Sequence, residues 1–274
     1  MQLSVIIPAY NEAKYLPTCL TSLIAEIKRN QHRSIEIIVV DNASTDNTTV
    51  IVKQYSEVTL IKEPRKGLVF ARQAGFVAAH GDLLANIDAD TIVPIGWINT
   101  IYQEFTHCPN LVALSGPQKY YDLPKRINFF VSVFYRLAYL VYLINRYIFK
   151  ISSLVQGGNF IVTKAALNKI GGYNTKEFTF YGEDADLARR LFKIGLVKFS
   201  LNFKIFSSAR RLVAEGLLTM GLRYAINYLW VVFFKKPFNK TYLDIRLGNL
   251  PYSGKIIRKR LLHLFARFFS NVKT

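Results

Sequence analysis

Two aspartates stand one residue apart in the stretch ANIDADTIVP, residues 85–94. Asp88 and Asp90 close an apolar run that begins at Leu83. Like charges at i and i+2 on a strand end repel unless a cation or a ligand lies between them. Hard divalent ions such as Mg2+ or Mn2+ take one or two carboxylates together with phosphate oxygens, and can neutralise a diphosphate as a bond to it breaks. A solvated turn with two acids produces the same local pattern, so the pair needs company to carry this reading.

A second acidic group lies in FTFYGEDADLARRLFKIG, residues 178–195. Glu183, Asp184 and Asp186 fall in the first turn of an expected helix, where acids suit the helix dipole and cap free N–H groups. Asp186 reads that way. Glu183 and Asp184 follow Gly182 directly and read equally well as pocket residues. Two further polar stretches follow apolar runs: Pro8-Ala9-Tyr10-Asn11-Glu12, and Asp41-Asn42-Ala43-Ser44-Thr45-Asp46.

The elements that must position these groups alternate in period. Short β-branched runs at 3–9, 35–41, 58–62, 83–88 and 111–116 are separated by helix-like segments at about 12–29, 46–55, 67–80 and 95–106. This is an α/β layer pattern with a mostly parallel sheet, covered on both faces because its strands are nearly continuous in apolar character. In such sheets ligands bind outside the carboxyl ends of the strands, where the polar stretches above fall. GGNFIVTKAAL, 157–167, adds a glycine turn, a strand and a helix start.

The chain of 274 residues carries a net charge of +18, unevenly spread. Residues 1–110 hold nine basic and 11 acidic side chains, whereas 111–274 hold 27 and seven. The back half therefore expects an anionic partner. Segment 127–149 is long enough to span a bilayer, but Asn128, Ser132, Arg136, Tyr139 and Arg146 form one polar stripe. Glu215, Thr219, Arg223 and Asn227 repeat the design in 215–237, and 255–274 is a third version, basic on one side and rich in Leu and Phe on the other. These stripes fit helices lying in a membrane interface, polar face to water, or faces packed on the protein. Three of them in a basic region favour an anionic membrane surface. Nucleic acid is not expected, because the basic residues are interleaved with long apolar faces. Cys19 and Cys108 have no metal-ligand spacing and fit a reducing compartment; the N-terminus reads as a strand, not a signal peptide.

In combination, VIIPAYNE (5–12), VVDNASTDNT (39–48), KGLVFARQAGFVAAHGD (66–82), IDADTIVP (87–94), GGNFIVTKAAL (157–167) and YGEDADLARRL (181–191) resemble the inverting glycosyltransferases of family 2. The resemblance covers about residues 3–210 and implies the GT-A fold, a Rossmann-like sheet flanked by helices. It implies a catalytic domain over 1–210, with an amphipathic insertion at about 124–152, and a basic amphipathic tail over 211–274. It also implies a nucleotide-diphosphate sugar as donor, a divalent cation as cofactor, and a saccharide or lipid-linked acceptor at the cytoplasmic membrane face. Pro8, Tyr10 and Glu12 would then line the nucleotide pocket, and Asp41 and Asn42 would meet the base or ribose. Many relatives have a second Asp where this chain has Asn42. Arg72 would face the diphosphate, or form a surface salt bridge. Asp88 would meet the ribose or the metal, and Asp90 the metal; Thr91 stands where relatives often carry a third acid. Asp184 would be the general base and Glu183 would orient it or the acceptor, or the two would exchange roles. Arg210 or Arg211 would clamp the diphosphate or a lipid phosphate, or lie on a membrane-facing surface. A Q-x-x-R-W pattern of processive relatives is missing. Other readings are a polyprenyl-phosphate acceptor, a nucleotidyltransferase and a non-catalytic membrane scaffold.

Overall fold

Aliphatic and β-branched runs form the expected strands, and the segments between them form the expected helices. The computed structural model describes residues 1–150 and 153–238. In chain order the first layer is β1 (Leu3–Ala9), α1 (Leu16–Lys28), β2 (Ile35–Asp41), α2 (Thr48–Val52), β3 (Val58–Lys62), α3 (Leu68–Ala78) and β4 (Leu83–Ile87). There follow β5 (Thr91–Ile92), α4 (Trp97–His107), β6 (Leu111–Ser115), β7 (Gln118–Tyr120) and α5 (Lys125–Leu143), which runs on as a π-helical turn over Ile144–Phe149. The last group is β8 (Asn159–Thr163), α6 (Lys164–Lys169), α7 (Glu183–Phe192), β9 (Leu196–Phe199), β10 (Ile205–Ser207), α8 (Arg210–Glu215) and α9 (Leu217–Phe234).

Among the described residues the main sheet has the order β3-β2-β1-β4-β8-β6-β9. All neighbours are parallel except β8, which runs against both β4 and β6. The chain leaves β6 at the carboxyl rim and, after β7 and α5, re-enters the sheet from that same rim, so β8 must run backwards. A small sheet, β5-β10-β7, is built from strands too short to leave an alternation signal. Val5 and Ile7 of β1 pack with α1 and α4 through Leu16, Leu20, Ile98 and Ile101. Ile6 packs on the other face with α3, α7 and α9 through Ala71, Leu187 and Val231. Burying each such aliphatic side chain contributes about 1.5–3 kcal/mol, which is what fixes both helical layers to the sheet.

The polar stripes of the back half turn out to face inward. Asn128 donates to the Tyr120 carbonyl at 2.8 Å and Arg146 to the Val197 carbonyl at 2.9 Å, while Tyr139 packs near Phe199 and Ser132 bonds the Asn128 carbonyl of its own helix. Arg136 alone of that stripe is exposed. The outward face of α5 is instead apolar, with Phe129, Phe130, Leu137 and Leu140 exposed. The expectation of a polar face to water is thus reversed: hydrogen-bonding groups are more valuable against the body's free carbonyls than in solvent. The expected single helix over 215–237 is broken at Gly216 (φ 84°), and Glu215, Arg223 and Asn227 are likewise turned onto the protein. The expected boundary after 210 falls at the start of α8, and α9 reaches the second core through Val231. The stripe at 255–274 lies outside the described residues.

At the rim, Asn42 braces a loop. Its Nδ2 donates to the Glu63 carbonyl (3.2 Å) and the Arg65 carbonyl (2.7 Å), and its Oδ1 accepts from the Gly67 N–H (2.7 Å). A carboxylate there would face two carbonyls with no proton to give. Asn42→Asp is therefore expected to lower stability by about 2 kcal/mol or more at neutral pH, by urea unfolding, with a deficit that shrinks toward pH 4 as the new carboxyl protonates and can donate.

Candidate active site

The carboxyl ends of β1, β2 and β4 lie side by side, with Ala9 in register with Asp41 and Ile6 with Asn86. Beside this rim lies a cleft of about 540 Å3, within the range of small-molecule sites. Pro8, Tyr10, Glu12, Asn42, Arg72, Asp88, Asp90, Glu183, Asp184, Arg210 and Arg211 all line it. Of the residues singled out from sequence, Asp41 is the one that does not. Its carboxylate accepts from the Ser44 N–H (3.0 Å) and the Thr49 hydroxyl (2.7 Å), so it shapes the loop after β2 instead. Asn42 lines the cleft, but its amide holds the 63–67 loop as described above.

Glu12 and Asp90 share a guanidinium. Arg210 places Nη2 2.6 Å from Glu12 Oε1 and Nε 2.8 Å from Asp90 Oδ2, and stacks over the Tyr15 ring. Arg210 is therefore drawn into the rim, not left on an outer surface. The Ser207 hydroxyl donates to the second oxygen of Asp90 at 3.1 Å, which is the service β10 and the small sheet perform. Burial raises the pKa of Asp90, Arg210 opposes this, and the Asp88 and Glu12 carboxylates add to the rise. Asp88 is freer: its side chain is 39% exposed, and its contacts with Gln118 Nε2 (3.4 Å) and Arg72 Nη2 (3.9 Å) are long.

Arg72 is only 2% exposed, which corrects the expectation of a surface salt bridge; it lines the cleft instead. Nη1 lies 2.6 Å from Glu183 Oε1 and Nη2 donates to the Gly157 carbonyl. It holds Glu183 at the site, while its Nε has no hydrogen-bond partner. Glu183 is buried in this pair, whereas Asp184 is half-buried and its Oδ1 accepts the Ala185 N–H at 2.8 Å. Burial raises the pKa of both carboxyls; Asp184 pushes Glu183 further up, and Arg72 opposes the rise in each. Asp186 is structural, paired with Arg189 (2.8 Å) and Arg190 (2.7 Å). Arg211 contacts Tyr181 (3.3 Å) and Glu215 (3.2 Å) on the far wall.

Sequence reasoning overlooked Lys66, Gln118 and the role of the glycine pair. Lys66 Nζ sits over the Tyr10 ring at 4.0 Å and donates to its hydroxyl at 2.8 Å. A β-carbon on Gly158 would collide with Asp88 and Gln118, so only glycine lets this backbone pass beneath the acids. The Gly-Gly dipeptide was the available signal. Gly182 (φ 81°) makes the turn that starts α7, and a β-carbon there would meet Val231.

The donor set suits a hard divalent ion. Asp88 and Asp90 offer carboxylate oxygens into one cleft, and oxygen ligands are what Mg2+ and Mn2+ select. Among the described residues no three acid, His or Cys side chains converge. An ion held by the pair would thus complete its shell with oxygens of a bound ligand or water.

Comparison with known proteins agrees with this geometry. The profile of glycosyl transferase family 2 matches residues 4–171, and that of the N-terminal domain of galactosyltransferase matches 145–210. Glycosyltransferase GlyG of Streptococcus pneumoniae is 30% identical over 135 residues, 47% of this chain and 44% of that protein. Chondroitin synthase of Escherichia coli is 33% identical over 128 residues, 45% of this chain and 18% of that protein. The chain spans less than half the length of these curated relatives. Among solved structures, the mannosyltransferase PcManGT of Pyrobaculum calidifontis, in complex with GDP-Man and Mn2+, superposes with a TM-score of 0.62 at 19% identity, covering 96% of this chain and 69% of that one. Glucosyl-3-phosphoglycerate synthase of Mycobacterium tuberculosis, with Mn2+, UDP and phosphoglyceric acid, gives 0.56 at 20% identity, covering 84% and 78%. With the profile covering more than half of its residues, the chain belongs to glycosyl transferase family 2.

Proposed function

We propose that this chain moves a glycosyl group from a nucleoside-diphosphate sugar to a hydroxyl of a saccharide or lipid-linked acceptor, with inversion, at the cytoplasmic face of an anionic membrane. The observation that carries the reading is one cleft lined by Asp88, Asp90 and Asp184, beside the carboxyl ends of parallel strands. GDP-Man and Mn2+ in PcManGT, and UDP-Glc and Mn2+ in the mycobacterial synthase, support the same donor class and ion here.

Tyr10, backed by Lys66, offers an aromatic face beside the rim for the nucleoside. Asp88 and Asp90 would hold the divalent ion, which when bound supplies positive charge to the departing diphosphate. Asp184 accepts the proton of the acceptor hydroxyl. That oxygen attacks the anomeric carbon, the bond from carbon to diphosphate oxygen breaks, and its electron pair leaves with the nucleoside diphosphate. Glu183 is already bonded to Arg72, so the half-buried Asp184 is the better placed of the two to serve as base. The exposed apolar face of α5, flanked by exposed Lys125, Arg126, Arg136 and Lys150, supports the membrane location. By length and composition Lys125–Phe149 is also long and apolar enough to cross a bilayer.

Asp184→Asn is expected to lower kcat by about a hundredfold or more while nucleotide binding, measured by calorimetry, is retained. Little loss would instead point to a phosphate acceptor, which needs no base. The raised pKa of Asp184 has a definite sign: the base must be unprotonated, so kcat/KM falls with decreasing pH at a value above that of an ordinary aspartate, about 3.9. An acid limb at or below that value would refute the assignment.

Asp90→Asn should reduce the Mn2+-dependent gain in UDP or GDP affinity by about tenfold or more, and EDTA should abolish that gain in the unsubstituted protein. Equal affinity with and without the ion would sink the metal reading.

A further inference from the structure

The cleft does not end at the acids. It continues between α5 and α9, where Phe134, Ala138 and Val141 face Met220, Gly221 and Ala225. Among the described residues, those of α5 and α9 that line this extension include no charged side chain. Cleft-lining Phe134, Leu137, Val141, Tyr224 and Leu229 are also exposed at the surface. The extension therefore opens sideways, through the same apolar face that carries Phe129, Phe130 and Leu140. At its inner end, Tyr228 ties α9 to the chain beyond α5, accepting from Asn145 Nδ2 (2.9 Å) and donating to the Ser153 carbonyl (3.2 Å).

A soluble sugar acceptor would need none of this. A slot that is polar at the acids, apolar along its length and open on an apolar surface fits a molecule with a polar head and a hydrocarbon chain. We propose that the gap between α5 and α9 is a binding site for the hydrocarbon tail of a lipid acceptor, which enters sideways from the membrane with its head at Asp184. This rests on the transferase reading above and narrows its acceptor to a membrane lipid. Lys125, Arg126, Arg136 and Lys150, exposed on and next to α5, favour an anionic surface. Gly221 sets the width: a β-carbon there would lie 3.7 Å from Phe134, so alanine fits and a large side chain fills the gap.

The test uses the full chain on vesicles of phosphatidylcholine and phosphatidylglycerol carrying hexadecyl β-glucoside with a diazirine at mid-chain. After photolysis, adducts are mapped by mass spectrometry, and UDP and GDP binding with Mn2+ is measured in parallel. Adducts are expected on Ala138, Val141 and the 220–225 segment. Gly221→Phe should reduce them by about tenfold, as exclusion of two or so methylene groups implies, with nucleotide affinity unchanged within about twofold. Gly221→Ala should label like the unsubstituted chain. If Gly221→Phe fails to fold, as judged by lost nucleotide binding, Ala225→Trp takes its place. Adducts confined to Phe129, Phe130 and Leu140, and indifferent to the filling substitution, would overturn the proposal. So would methyl β-glucoside competing as well as the hexadecyl compound. Inner labelling in a chain that binds neither nucleotide would uphold the tail site and refute the transferase reading.

Discussion

A guanidinium sealed from water must be met by anions and carbonyls, and Arg72 is met from three directions. Glu183 comes from the start of α7, Gly157 from the approach to β8, and Asp88 from the end of β4. Leaving such a cation unpaired would cost several kcal/mol, so loss of Glu183 would be strongly destabilising. Glu183 owes its position in the cleft to this one side chain of α3. The glycine at 158 makes the approach possible by removing a β-carbon that would otherwise occupy the space of Asp88.

Arg210 repeats the arrangement at the other end of the rim, joining Glu12 to Asp90. The two arginines differ in what they leave available. Arg72 is enclosed, while Arg210 retains partial exposure at the cleft wall. A front half with a slight acidic surplus supplies Glu12, Asp88 and Asp90, and the basic back half returns Arg210 to them. Part of the charge asymmetry of the chain is thus consumed internally.

Much of this could be read from residue order. The parallel core of the sheet was legible because nearly continuous aliphatic runs alternate with helical periods. The rim acids were legible because they interrupt those runs abruptly. The reversal of β8 was not, since direction within a sheet depends on where the chain re-enters. The partners of Asp41, Asn42 and Arg72 were also hidden. A polar residue at a strand end looks the same in sequence whether it faces a ligand or a neighbouring loop, and only burial separates the two. The stripes on α5 and α9 were seen correctly as stripes and assigned the wrong side, because periodicity gives the angle between faces and not which face meets the body.

The reversed strand also bears on how the molecule forms. β8 pairs with β4 across some 70 intervening residues, Ile87 meeting Asn159, and Arg72 meets Glu183 across 111. Contacts so distant along the chain incur their loop-closure entropy before they return any enthalpy, and such topologies fold slowly. The β1–β2–β3 part of the sheet, where Leu3 meets Ile35 and Ile37 meets Val58, has pairings nearer in sequence and is suited to form first and wait. The acidic rim is then among the last features to be completed, so its assembly reports that the whole excursion from 88 to 158 has found its place.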